Sequence, residues 1–215
     1  MRSKIQVNIE QLYEQGDYEA IINSLEGSPN EEYLSILAFS YQKTKRWENA
    51  MECWNHLIIK DPTNAEYFNE RGVCKFNLRF KHAIQDFDQA VKLDPENAYF
   101  YSCRAYIKDK TGDTEGSVED YTKSLSLDPT DAIIMNNLGL AEQKLGHTAK
   151  ARAQFKSSDE LLGIETIDSR DDEANSTASP SLASNNQSPT LWDEFKKMIS
   201  SKAGFKQFWA ELRGK

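Results

Sequence analysis

The chain is poor in the residues that would mark several common protein classes. It has 3 cysteines in 215 residues, Cys53, Cys74 and Cys103. An odd number with no close-spaced pair argues against a disulfide framework and a zinc site, and reads instead as small buried hydrophobes. Proline (6) and glycine (10) are too few for a collagen-like or low-complexity chain, and both stand where turns are expected. No apolar run approaches the length that spans a bilayer, and mean hydropathy is −0.70. The opening residues, Met1 to Asn8, turn polar before the apolar core of a signal peptide can form, so a cytoplasmic setting is expected. Asn175 and Asn186 each open a glycosylation triplet that is then taken as chance. Nor is there a surplus of positive charge: the net charge is −8 and the pI about 5.0, which disfavours general nucleic-acid binding.

Catalytic signatures are missing as well. His56, His82 and His147 are scattered without ligand-spaced partners. No Gly-rich phosphate loop and no Ser-His-Asp order is visible. Acid pairs such as Glu31-Glu32 and Asp171-Asp172-Glu173 read as solvated surface. The expectation is a protein without catalytic activity, cofactor or metal.

Internal repetition is the strongest positive signal. Asp-Pro pairs recur at Pro62, Pro95 and Pro129. Before each proline, and before Gly163 one period later, the same positions return: Ala50, Trp54, Leu57; Ala83, Phe87, Ala90; Ser117, Tyr121, Ser124; Ala151, Phe155, Ser158. Steps of four and three put a small, an aromatic and a second small or apolar residue on one helix face, and proline stops the helix. A second set lies upstream: Leu34, Leu37, Ala38, Tyr41; Phe68, Arg71, Gly72, Lys75; Tyr101, Arg104, Ala105, Lys108; Met135, Leu138, Gly139, Glu142. Turn-like stretches such as Lys45-Arg46-Trp47 and Thr111-Gly112-Asp113 separate the sets. Each period is a helical hairpin.

These hairpins resemble the tetratricopeptide repeat family over residues 31–163, in units of about 31–64, 65–97, 98–131 and 132–163. A degenerate first hairpin over about 2–30 is suggested by Ile5, Ile9, Leu12, Gly16, Tyr18, Ile21 and Leu25. Arg71, Arg104, Lys75, Lys108 and Glu142 depart from the family pattern, so their faces are expected to be more exposed or looser. The unit containing Gly72 is one residue short between its helices. The implied fold is all-α, a right-handed superhelical solenoid in which each hairpin buries its apolar face only against its neighbours.

The resemblance also implies a concave groove lined by the first helix of each hairpin. Its expected residues are Phe39 and Gln42; Asn69, Val73 and Phe76; Tyr99 and Tyr106; Ile133, Asn136 and Leu140. Family members that clamp acidic chaperone C-termini carry Lys, Asn and Arg at these places, and no Lys or Arg falls among them here. An apolar groove in an acidic body suits a basic, aromatic, amphipathic segment.

The chain carries such a segment itself. Residues 164–190 are rich in Ser, Asn, Thr and acids and have no aromatic, which predicts a flexible linker. Residues 191–215 hold six Lys and Arg against three acids, together with Trp192, Phe195, Ile199, Phe205, Phe208, Trp209 and Leu212. Pro189 and Thr190 open an amphipathic helix, and Gly204 divides it. The expected functions of this helix are to cap Leu161 and Leu162, or to act as a binding element in cis or in trans, with oligomers formed by tail exchange. The expected role of the whole chain is a protein–protein interaction scaffold. The alternative is a membrane-surface or assembly adaptor whose tail enters lipid or a partner.

Overall fold

In a computed structural model, residues 2–27 and 31–163 are described, and among them every regular element is helical. The order is α1 (Arg2–Gln15), α2 (Tyr18–Leu25), a short 3-10 turn (Glu31–Tyr33), α3 (Leu34–Lys43), α4 (Trp47–Lys60), α5 (Ala65–Asn77), α6 (Ile84–Leu93), α7 (Ala98–Thr111), α8 (Thr114–Leu127), α9 (Ala132–Lys144) and α10 (Thr148–Leu162). Each helix from α1 to α8 packs on the next, which makes a solenoid of hairpins. The compact unit ends at Ser158, inside α10. Leu161 and Leu162, at the end of that helix, are exposed.

Local chemistry sets the helix boundaries. Asp17, Asn64, Asn97, Asp113 and Asp131 each accept a backbone N–H two or three residues on, which satisfies donors that a helix start leaves free. Between the two helices of every unit one residue takes the left-handed conformation. It is Gly16, Gly112 and Gly146 in three hairpins, but Lys45 (φ 60°) and Arg79 (φ 62°) in the other two. The turn geometry is thus held even where no glycine relieves the steric cost. In the unit of Gly72 the missing residue is taken from the start of the second helix. α6 begins only at Ile84, without a side-chain cap, and is 10 residues long against 14 in α4 and α8.

The repeated small and aromatic positions meet across each hairpin. A Cβ built on Gly72 would lie 2.8 Å from the Phe87 ring, and one on Gly139 would lie 2.6 Å from the Phe155 ring. Trp54 (0% exposed) and Tyr121 are buried in the other two units, where alanine (Ala38, Ala105) occupies the glycine's place. Trp54 also meets the Phe39 ring edge-on at 5.0 Å. The second small position carries serine in two units. Ser124 donates to the Ala98 carbonyl and Ser158 to the Ala132 carbonyl, so a hydroxyl ties the second helix to the start of the first.

Of the faces expected to be loose, those of Arg71, Lys75, Arg104 and Lys108 are closed, while that of Glu142 lines a cavity. Arg71 donates through Nε and Nη2 to the two carboxylate oxygens of Asp86, both at 2.8 Å, and through Nη1 to Asn55 in the preceding hairpin. Arg104 repeats this on Asp120 (2.8 and 2.7 Å) and reaches back to Asp88. Lys75 and Lys108 add a second cation to each aspartate at 2.9 Å. The guanidinium groups lie over the Phe68 and Tyr101 rings at 5.3 and 5.7 Å. The arginine side chains are only 18% and 17% exposed, so the charged departures from the family pattern form a ladder linking successive units. Bidentate geometry and shared aspartates set these pairs apart from exposed surface ion pairs, which contribute little.

Truncating Trp54 to alanine is expected to destabilise the protein by roughly 3–5 kcal/mol in urea unfolding, the range for a large buried aromatic. A loss under about 1 kcal/mol would show that the indole does not fill the hairpin. For Gly72→Ala the helix-propensity gain of about 1 kcal/mol is outweighed by overpacking, because Phe87 is 1% exposed and cannot swing away. Overpacking of roughly 1–3 kcal/mol less that gain leaves an expected net cost of up to about 2 kcal/mol. Gly139→Ala should cost less, since Phe155 is only half-buried and can yield.

Candidate functional site

The first helices of successive units present the sequence-derived groove positions, and the structure sorts them into three groups. Val73, Phe76, Tyr99 and Tyr106 come together. All four pack against the buried Phe87, Cys103 and Ile107, and all keep part of their surface outside the core. Lys110 lies over the Tyr106 ring at 5.2 Å. Burial raises the pKa of the Tyr106 hydroxyl, and more strongly that of Tyr99, so both stay neutral donors. Farther along, Ile133 and Asn136 are half-buried and Leu140 is 40% exposed. Lys144 pairs with Asp109 and so bridges α9 to α7. Cations therefore do border this face, at Lys110 and Lys144, but each is already engaged.

Phe39, Gln42 and Asn69 form the third group, and their expected place in an open groove is corrected. Each is at most 1% exposed. Phe39 is drawn inward by the Trp54 ring. Gln42 and Asn69 turn toward a buried carboxylate, that of Glu70. Gln42 Nε2 donates to Glu70 Oε2 at 3.1 Å and also to the Glu70 carbonyl at 3.3 Å. Asn69 Nδ2 donates to Glu70 Oε1 at 3.0 Å. Gln42 Oε1 and Asn69 Oδ1 are buried and accept no hydrogen bond among the described residues. Two amides and a carboxylate thus form a polar knot between the first helices α3 and α5. Burial pushes the Glu70 carboxyl up to about 7. The amide donors and the nearby charge of Lys43 act the other way without overcoming it.

Glu70 was not singled out from the sequence, although a signal existed. Its equivalents one unit before and after are Ile36 and Cys103, both buried, which puts position 70 on an inward face. Its partner Gln42 lies 28 residues away, a contact that periodicity does not reveal. His147, read as a surface or packing residue, pairs through Nδ1 with Glu142. Cys74 and Cys103 are buried, Cys53 is half-buried, and all three are free thiols. Burial pushes Cys103 up to about 12 and Cys53 to about 11, which suits inert packing groups. Among the described residues no group of three or more His, Cys, Asp or Glu could hold a metal ion. The proposed tail element, Trp192, Phe195, Ile199, Phe205, Phe208, Trp209 and Leu212, lies outside the described residues.

Hairpins of about 34 residues, stacked so that their first helices share a face, define a helical-repeat scaffold. Tetratricopeptide repeat signatures match residues 100–131 and 120–153. Over residues 100–153 the chain is therefore similar to the tetratricopeptide repeat family, and its all-helical solenoid is the fold of that family. No curated protein sequence gives a significant match. Among solved structures, the crystal structure of MamA is similar with TM-score 0.63 and 25% identity, over 71% of this chain and 93% of that one. The thermophilic repeat protein TTC0263 from Thermus thermophilus has TM-score 0.61 at 19% identity, over 77% and 93% of the two chains. The first repeat domain of Spaghetti (RPAP3), solved with the HSP90 peptide SRMEEVD, has TM-score 0.51 at 26% identity, over 55% and 95%.

The polar knot gives stability a pH dependence of defined sign. Glu70 holds its proton more tightly in the folded than in the unfolded chain, so its contribution is complete below about pH 4.5 and is lost as pH rises through about 7. That gap corresponds to roughly 3 kcal/mol as an upper figure. Urea unfolding of the wild type should show this fall between about pH 5 and 8, and Glu70→Gln should remove most of it. An unchanged profile in the variant would rule out Glu70 as its source.

Proposed function

We propose that the chain is a non-catalytic interaction scaffold whose concave groove takes an amphipathic helical or extended peptide. The observation that carries this reading is the cluster of Val73, Phe76, Tyr99 and Tyr106. Four apolar or aromatic side chains from two successive first helices are held in place from below by Phe87 and Ile107 and keep surface open to a partner. Rigid aromatics of this kind supply most of the affinity in peptide and protein interfaces. Leu140 extends the apolar strip into the next unit.

A structurally similar repeat domain was solved with a peptide ending in acids. The present face is suited to the opposite charge. Its nearby lysines, Lys110 and Lys144, are occupied by Tyr106 and Asp109, and the body carries most of the net charge of −8. A basic, aromatic segment is therefore the favoured ligand, and residues 191–215 of the same chain have that composition. They would act from their own chain or from a second copy, with residues 1–163 as the receiving domain. Tethering raises the effective concentration to the millimolar range, so a modest site would be well occupied.

The experiment is an NMR titration of residues 1–163 with a peptide of residues 188–215, run beside the acidic peptide SRMEEVD. The basic peptide is expected to shift amides around Phe76, Tyr99, Tyr106 and Leu140, and the acidic one to bind more weakly. Phe76→Ala and Tyr106→Ala should each weaken binding by about tenfold or more. Tighter binding of the acidic peptide would reverse the charge assignment. Absence of shifts at millimolar concentrations of either peptide would remove the groove as a peptide site.

A further inference from the structure

The arginine ladder occupies one place in the repeat, and the fourth unit departs from it there at every position. Met135 stands where Phe68 and Tyr101 lie beneath the guanidinium groups. Leu138 stands where Arg71 and Arg104 originate, and Glu142 where Lys75 and Lys108 do. Gln154 replaces Asp86 and Asp120, and Thr122 replaces Asn55 and Asp88. These five residues line one cavity of about 360 Å³ between the hairpins of residues 98–131 and 132–163, with Lys150 at its rim. In the two preceding units the corresponding space holds a guanidinium of the chain's own, paired with a carboxylate and lying over an aromatic ring. In the fourth unit the arginine has become a leucine, which carries no donor, while a carboxylate is still present in Glu142.

We infer that this cavity receives a cationic side chain, arginine foremost, from a partner protein. The Glu142 side chain is 7% exposed and forms the anionic end of the cavity. Its Oε2 is engaged by His147. Among the described residues its Oε1 is paired with Lys150 alone, whose Nζ is 3.7 Å away, beyond hydrogen-bond range, on a side chain 69% exposed. An incoming guanidinium displaces that lysine at little cost and gains a charge-assisted pair with a mostly buried carboxylate. The Gln154 amide oxygen and the Thr122 hydroxyl offer further acceptors, matching the several acceptors that Arg71 and Arg104 already use. Met135 and Leu138 supply the apolar wall on which a planar, weakly hydrated guanidinium lies better than an ammonium. The net charge of −8 favours approach of a cationic partner.

This surface is separate from the groove. Met135, Leu138 and Glu142 follow Ile133, Asn136 and Leu140 on α9 by two residues each, which is about 200° around the helix. A partner could therefore be held on two faces, and failure of one site does not decide the other.

The test uses the full chain labelled with nitrogen-15 and titrated with acetyl-arginine-amide to roughly tens of millimolar, a range suited to a single-residue probe. Saturable shifts are expected at amides of 135–142 and 153–154. Acetyl-citrulline-amide, which has nearly the same shape without the charge, should bind about tenfold more weakly or worse, and Glu142→Gln should bring a similar loss. The double variant Leu138→Arg with Gln154→Asp rebuilds the ladder within the chain. It should abolish the shifts and raise Tm by a few degrees. The inference is overturned if the arginine probe gives no shifts, if citrulline binds equally well, or if the rebuilt variant stays folded and binds as the wild type does. Shifts confined to the face of Phe76 and Tyr106 would overturn it too, while leaving the groove reading intact.

Discussion

The contact on which the rest of the solenoid depends is that between a small residue in the first helix of each hairpin and an aromatic in the second. Gly72 meets Phe87 and Gly139 meets Phe155, with separations that leave no room for a methyl group. The absence of a side chain on one helix and the large ring on the other are complementary parts of one shape. The close approach fixes how the two helices cross, and the ring fills the space between them. That crossing decides which residues of the first helix face outward to a common surface. A hairpin of this kind still leaves an apolar face open, which the next unit covers, so the array is stable only as a stack.

Charge holds the units in register where the family pattern would place apolar groups. The Arg71–Asp86 and Arg104–Asp120 pairs are set on aromatic rings and reach back to Asn55 and Asp88. Such pairs carry a desolvation penalty, offset here by bidentate geometry, a second cation and partial access to water. Their stronger consequence is specificity: each arginine finds its acceptors only when neighbouring hairpins stack in one arrangement. In the fourth unit Leu138, Glu142 and Gln154 do not continue the ladder, and the same place becomes a cavity with its carboxylate at one end.

The Glu70 knot and the aromatic cluster show how one set of helices buries some groove positions and leaves others at the surface. At α3 and the start of α5 the groove positions turn inward, onto Trp54 and onto the buried carboxyl. From Val73 onward, Phe76, Tyr99, Tyr106, Ile133, Asn136 and Leu140 keep surface. In the buried part the Glu70 carboxyl lies between two amides, and burial raises it to about 7.

The sequence by itself determined the repeat, the helical character, the proline-marked ends of the second helices and the small–aromatic pairs. All of these are written in short-range spacing, through the proline stops and the 3.6-residue period. It also pointed to Phe76, Tyr99 and Tyr106, because a position in one unit is read from its equivalents in the others. What only the tertiary structure decided is which of those positions stay open. Phe39, Gln42 and Asn69 have the spacing of groove residues, yet they are buried because Trp54 and the Gln42–Glu70 contact are brought in from other helices. Arg71 and Arg104 look like surface charges until Asp86 and Asp120 come to 2.8 Å. Burial and ion pairing are properties of the pair, and the second member lies 15 to 28 residues away in the chain.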